Sequence, residues 1–200
     1  ACPKRYQWRH EKGVPEFGIS GPSFSDPNVK GEMVHEVMAG KDPSLVLERR
    51  GIQDPAKERQ YREMREHFLR SDPMSDVEEE YVELPFWFRH HGTLFKGKMD
   101  RLVKAKGGWT VIDYKTGKVD PSRADEEAQR YLVQMAVYRE AARMILGEEV
   151  DVMIYFPYID RFQSVEIGDD TMDQVLRYTG MIEEGIFSFD QCSDCGRDRN

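Results

Sequence analysis

Residues 93–117 read TLFKGKMDRLVKAKGGWTVIDYKTG. Two strand-like runs, Thr93 to Lys104 and Trp109 to Lys115, flank Gly107-Gly108, a pairing that predicts a tight hairpin. With the two glycines as the turn, Lys115 is expected opposite Asp100, and Asp113 one diagonal step away. Asp113 and Lys115 are two apart, so they project to one face while Tyr114 points to the other. Two carboxylates and an ammonium beside Leu102, Val111 and Ile112 form a costly cluster unless something compensates. A divalent cation would do so, because Mg²⁺ takes one or two carboxylates together with waters and phosphate oxygens. Lys115 would then orient or deprotonate an attacking water, or steady the charge that builds on a phosphate. The alternative from spacing alone is a salt-bridged hairpin of Asp100, Asp113 and Lys115 with no metal.

Upstream of the hairpin, Glu80 to Phe88 reads as a further strand, and Val29 to Ala39 and Pro55 to Leu69 read as helices. Gly18 to Lys30 is loop-like. Downstream, Ser122 to Leu146 predicts one long helix, with Ser122 as N-cap and Gly147 as its stop. Asp151 to Tyr158 reads as a buried strand, Ser164 to Ile167 as a short one, and Asp170 to Glu184 as a last helix. Helices, a three-stranded meander, a helix, then strand and helix again imply an α/β fold with a mixed central sheet flanked by helices. The 200 residues suit a single domain, 1–200, large enough to fold without staples.

Charge is unevenly spread. The chain carries 29 Lys plus Arg against 37 Asp plus Glu, a formal net charge of -8, which disfavours a nonspecific nucleic-acid coat protein. Yet Arg89 to Lys118 holds eight Lys or Arg and two acids, and those two are Asp100 and Asp113. Ser71 to Leu84 has six acids and no base, a run that reads as a solvated face. No stretch approaches the roughly 20 apolar residues of a membrane span, and Ala1 to Lys12 lacks the apolar core of a signal peptide, so the expectation is a cytoplasmic chain with no membrane partner.

Other polar residues admit two readings. Tyr131, Gln134 and Tyr138 are spaced to share one helical face, a stripe that suits a core as well as a site. Gln134 fits a core less easily, because a buried amide needs partners. His35 taken alone is a hydrogen-bonded structural histidine. Glu83, on the strand before the hairpin, either joins the acidic cluster or supports it structurally. Lys98 shares the strand parity of Asp100 and suits phosphate contact or plain surface. His90-His91 are expected to point opposite ways and to be solvated.

Gly97-Lys98-Met99-Asp100-Arg101 followed by Val111-Ile112-Asp113-Tyr114-Lys115-Thr116-Gly117 resembles the PD-(D/E)XK nucleases of the RecB and AddB type, whose core reads G-x-x-D-R and then D-Y-K-T-G. Gly31 to His35 resembles their upstream G-x-x-x-H, and Gln134 with Tyr138 their downstream Q-x-x-x-Y. The resemblance implies a restriction-endonuclease-like core and a Mg²⁺- or Mn²⁺-dependent DNA nuclease acting on single strands or DNA ends, in company with a helicase domain or subunit. It implies metal ligation by His35, Asp100, Asp113 and the backbone carbonyl of Tyr114, with Lys115 as base or electrostatic partner. Gln134 and Tyr138 would complete the catalytic face, Gln134 holding Lys115 or the nucleic-acid backbone. A non-catalytic nucleic-acid-binding or scaffold module is the rival reading.

The three cysteines, Cys2, Cys192 and Cys195, lie at the extremes of the chain, an odd number that argues against a disulfide framework. Cys2-Pro3-Lys4-Arg5-Tyr6 and Cys192-Ser193-Asp194-Cys195 resemble the C-P-x-x-Y and C-x2-C elements with which AddB-like and CRISPR-adaptation nucleases hold a four-iron four-sulfur cluster. The fourth ligand of that pattern would fall just beyond Asn200, and such clusters take four thiolates. The expectation is therefore a domain excised from a longer chain, with cluster-type cysteines in its terminal segments, 1–13 and 186–200. A redox dithiol or a zinc site with an outside ligand remains open for the same thiols.

Overall fold

The computed structural model describes residues 27–183. Cys2, Cys192 and Cys195 lie outside them. Three helices come first: α1 (Pro27–Met38), α2 (Pro43–Glu48) and α3 (Pro55–Arg70). Strands β1 (Glu79–His90), β2 (Thr93–Ala105) and β3 (Gly108–Tyr114) follow, then α4 (Ala124–Gln129), α5 (Leu132–Leu146), β4 (Val150–Phe156), β5 (Arg161–Ser164) and α6 (Thr171–Glu183). The sheet has five strands in the order β1-β2-β3-β4-β5, with β3 and β4 parallel and every other pair antiparallel. This is the mixed, helix-flanked sheet expected.

The helices start where the chain chemistry says they should. Asp42 and Asp54 each precede a proline, and their carboxylates accept from the N–H groups of Ser44 and Lys57, capping α2 and α3. Gly147 ends α5 in the left-handed conformation, φ 70°, its N–H donating to the Arg143 carbonyl.

Each sheet face has its own core. On one, Leu102, Trp109, Val111, Ile154 and Phe156 pack with Ala128 of α4 and with Met135 and Ala142 of α5. On the other, Val103, Ile112, Tyr114 and Tyr155 pack against Met33 and Val37 of α1 and Phe68 of α3. The single strand β3 thus sends Val111 and Asp113 toward α5 and Ile112 and Tyr114 toward α1.

Four expectations need correction. The β2–β3 pairs run Arg101↔Ile112 to Ala105↔Gly108, so Lys106-Gly107 is the turn, and Asp100 comes level with Asp113 rather than Lys115. The slip is two residues, so every side chain keeps its face. The helix from Ser122 to Leu146 is broken: Pro121–Arg123 is a 3₁₀ turn capped by Asp120, α4 ends at Gln129, and α5 starts after Tyr131. At the break Arg130 and Tyr131 bond back only three residues, to Glu127 and Ala128. The last strand is Arg161–Ser164, not Ser164 to Ile167. His90 and His91 stack edge to face, ring centroids 4.7 Å apart, because His91 turns the hairpin at φ 44°.

Candidate active site

The hairpin and two helices bring the polar residues together. Asp113, 2% exposed, leaves β3 toward α5. Gln134, on the first turn of α5, donates from Nε2 to Asp113 Oδ1 at 3.0 Å and to the Tyr138 hydroxyl at 2.8 Å. Its Oε1 accepts from Lys115 Nζ at 2.9 Å. An ammonium only donates, so this bond fixes which way the amide points. The break between α4 and α5 sets the Tyr131 ring beneath the same ammonium, 4.5 Å from its centroid. Gln134 is thus a bridge between catalytic-type groups, and a filled-core reading of the stripe fails at that residue.

Asp100 is reached from the opposite side. Its Oδ1 lies 3.2 Å from His35 Nδ1, and its Oδ2 accepts from the Tyr114 N–H at 2.9 Å. The Tyr114 ring turns to the far face, where its hydroxyl accepts from Arg101 Nε. His35 reaches the carboxylate because α1 lies close to the end of β3: a Cβ on Gly31 would come within 3.1 Å of Thr116 Oγ1. Gly97 has a similar reason, since a Cβ there would sit 2.7 Å from the Phe86 ring, which packs edge-on against Tyr138 at 5.5 Å. Both motif glycines are close-approach positions, one on each side of the site.

Electrostatics follow the geometry. Burial pushes the Asp113 carboxyl up to about 6, and neighbouring Asp100 adds to this while Lys115 opposes it. His35 is raised: burial opposes its charged form, but the Asp100 hydrogen bond and the charges of Asp100 and Asp113 outweigh burial. Lys115 Nζ lies 2.7 Å from Asp113 Oδ2, yet off the direction of a hydrogen bond, so that buried oxygen has no hydrogen-bonding partner. An orphaned anionic oxygen beside a second carboxylate and an imidazole is a donor set that suits a divalent cation. Among the described residues no three such side chains stand as a ready-made metal cluster, so the backbone, water or phosphate would have to complete one.

Two cavities open on the cluster. His35, Asp100, Glu83, Lys98 and Thr116 line one of about 750 Å³; Gln134, Tyr138, Tyr131, Phe86 and Lys96 line another of about 410 Å³. Asp113 and Lys115 lie between the two groups of residues. Glu83 is ion-paired with Lys98 at 2.6 Å rather than joined to the aspartates. The sequence reading missed Arg101, which is buried, ion-pairs with Glu80 and donates to the Met38 carbonyl, tying β2 to α1. Its signal was a charged residue between apolar neighbours, Met99, Leu102 and Val103.

A family model of the PD-(D/E)XK nuclease superfamily matches residues 1–186. The chain belongs to that superfamily. Within it, the chain is 42% identical over 57 residues to a large subunit of the ATP-dependent helicase/nuclease of Pelotomaculum thermopropionicum, and 28% identical over 102 residues to the corresponding protein of Clostridium perfringens. These matches take in 28% and 50% of this chain but only 4% and 8% of the relatives. A solved structure of a candidate exonuclease from Eubacterium rectale superposes with a TM-score of 0.55 over 98% of this chain and 81% of that one, at 17% identity, a likeness of fold. The α/β core is therefore the restriction-endonuclease-like one of a PD-(D/E)XK nuclease. No helix among the described residues is long and apolar enough to cross a membrane.

Proposed function

We propose that the protein is a Mg²⁺- or Mn²⁺-dependent deoxyribonuclease that hydrolyses phosphodiesters of single-stranded DNA or DNA ends. The observation that carries the reading is the orphaned, buried Asp113 Oδ2 beside Lys115 and Asp100, on a superfamily nuclease core. Asp100, Asp113, His35 and the Tyr114 carbonyl are the residues that would hold the metal. When bound, the ion would supply Lewis-acid polarisation of the phosphate and a more acidic water.

The chain's own groups do the rest. Gln134 holds Lys115 in place by its carbonyl oxygen and Asp113 by its amide nitrogen, so base and carboxylate keep a fixed spacing. Lys115 Nζ either takes the proton of the attacking water or faces the charge that builds on the phosphate oxygens. Tyr138, its hydroxyl pushed up to about 12 by burial, stays protonated and accepts the second Gln134 N–H. Asp100 keeps His35 oriented through its Oδ1.

The basic run from Arg89 to Lys118 supports a polyanionic substrate. The relatives' name, helicase/nuclease, motivates DNA as that substrate and a partnering helicase, whether domain or separate chain. The test is cleavage of an end-labelled single-stranded oligonucleotide with Mg²⁺, Mn²⁺, Ca²⁺ or EDTA. Mg²⁺ and Mn²⁺ should support cutting and Ca²⁺ should not. Asp113→Ala and Lys115→Ala should each lower the rate by roughly 10²- to 10⁴-fold, the range of a lost acid–base group, while melting as cooperatively as wild type. Cleavage in EDTA, or a Lys115→Ala variant at wild-type rate, sinks the mechanism.

A further inference from the structure

Trp87 is 79% exposed, although tryptophan is usually among the better covered side chains. It stands on the outer half of the β1–β2 hairpin, where the register Pro85↔Lys98, Trp87↔Lys96 and Arg89↔Leu94 continues past the end of β3. There the two strands form a ribbon with unlike faces. Phe86, Phe88 and Phe95 face α5 and the core. The opposite face carries Pro85, Trp87, Arg89, Leu94, Lys96 and Lys98, all exposed. Its only charges are cationic, in a chain whose net charge is -8.

We propose that this ribbon face is a platform for single-stranded DNA, on which Trp87 stacks a base while Lys96 and Arg89 meet the flanking phosphates. The inference rests on the nuclease reading and adds where the substrate lies. Stacking on an exposed ring and cations spaced along a groove are how single strands are gripped without sequence preference. A duplex offers no free base face to the indole, so the platform selects unpaired strands. Continuity with the site supports the same occupant. Lys98 ends the cationic face and also lines the cavity of His35 and Asp100, paired there with Glu83. A strand leaving Trp87 along β2 therefore passes Lys98 and arrives at Asp100, its reacting phosphate a few residues' length from the stacked base. Leu94, 51% exposed on the same face, extends the apolar surface available to the neighbouring base.

The experiment titrates the protein in EDTA with a fluorescein-labelled oligothymidylate of roughly 12 nucleotides, within the usual span of single-strand sites. Trp87→Ala should raise Kd by about tenfold, the usual effect of one lost base stack, and Trp87→Phe should restore most of the affinity. Lys96→Gln should flatten the dependence of log Kd on log salt by roughly 0.7. Mg²⁺-dependent hydrolysis of bis(p-nitrophenyl) phosphate, too short to reach the platform, should be the same in Trp87→Ala as in wild type. A wild-type chain that binds through Trp87 yet cuts nothing would sink the nuclease reading and leave the platform standing. Trp87→Ala with wild-type affinity, or a wild-type chain with no affinity for the oligonucleotide, overturns the platform. So does a Trp87→Ala variant that loses only self-association, which would give the face to a second copy of the chain.

Discussion

Two charged side chains are buried on opposite faces of the sheet, Arg101 at 3% exposure and Asp113 at 2%, and they are treated differently. Arg101 has its charge and donors answered by Glu80, the Tyr114 hydroxyl and the Met38 carbonyl, and its guanidinium lies 5.0 Å over the Phe68 ring. A buried cation so fully satisfied is a structural tie. Asp113 has one oxygen answered by Gln134 and one left over, an arrangement that costs stability unless a ligand arrives. His35 sits between these cases, touching Asp100 but a third exposed, at 35%. If it is a metal ligand, His35→Ala should raise the Mn²⁺ concentration for half-maximal cleavage by roughly tenfold or more. Its melting temperature should change little. A structural histidine predicts the reverse, a lower melting temperature with an unmoved Mn²⁺ titration, so the titration and the melt read together decide its role.

At the level of strands, the site depends on a reversal in side-chain alternation. Met99 and Leu102 both face α5, although regular pleating would put them on opposite faces, and Arg101 and Val103 face α1. On β1, Tyr81 packs with Trp109 while Leu84, Phe86 and Phe88 face α5, so the reversal is shared by both strands. Between them lie Asp100 and Glu83, the missing pair in an otherwise continuous register, with Glu83 at φ 52°. A left-handed residue in mid-strand re-aims what stands beside it, here Asp100 at His35. Glu83→Asn, which tolerates that conformation, should leave melting and cleavage near wild type. Glu83→Val should cost about 1–2 kcal/mol and lower cleavage, while Lys98→Met, which breaks the same ion pair without touching the backbone conformation, should not lower stability comparably. A Glu83→Val variant that melts and cuts like wild type would mean the reversal holds without it. None of this was legible in the sequence, because Glu is not a residue that announces positive φ. What was legible had local causes: Asp113, Tyr114 and Lys115 on alternating faces, and Gln134 with Tyr138 one turn apart. The turn was misplaced because Gly107-Gly108 looks like a loop while only Gly108 needs its freedom, at φ 113°, as the first residue of β3. The short α2 had a signal that went unread, since Asp42-Pro43, Asp54-Pro55 and Asp120-Pro121 each cap and open a helical turn.

Across the whole molecule, the groups that bear on Asp100 and Asp113 come from two ends of the chain. α1 supplies His35, and α6 packs against α5, which supplies Gln134 and Tyr138. Residues before α1 contain Cys2, and residues after α6 contain Cys192 and Cys195. If these thiols share an iron-sulfur cluster, as the resemblance to AddB-like nucleases implies, the cluster clasps together the segments that lead into α1 and out of α6. Three thiolates do not complete a four-iron cluster, so a chain bearing a cysteine one residue after Asn200 is the one to test. Purified without oxygen, it should be brown and contain iron and labile sulfide. Removing the iron should then speed hydrogen exchange in α1 and α6, while the β2–β3 hairpin, paired on both sides within the sheet, keeps its protection. A redox dithiol predicts instead a colourless protein whose cleavage rate follows thiol state at constant Mg²⁺, and a zinc site predicts bound zinc without colour. A colourless, iron-free protein made anaerobically with all four cysteines would therefore sink the cluster. The nuclease reading would stand, because its residues, from His35 to Tyr138, are held by β2, β3, α1 and α5 without the thiols.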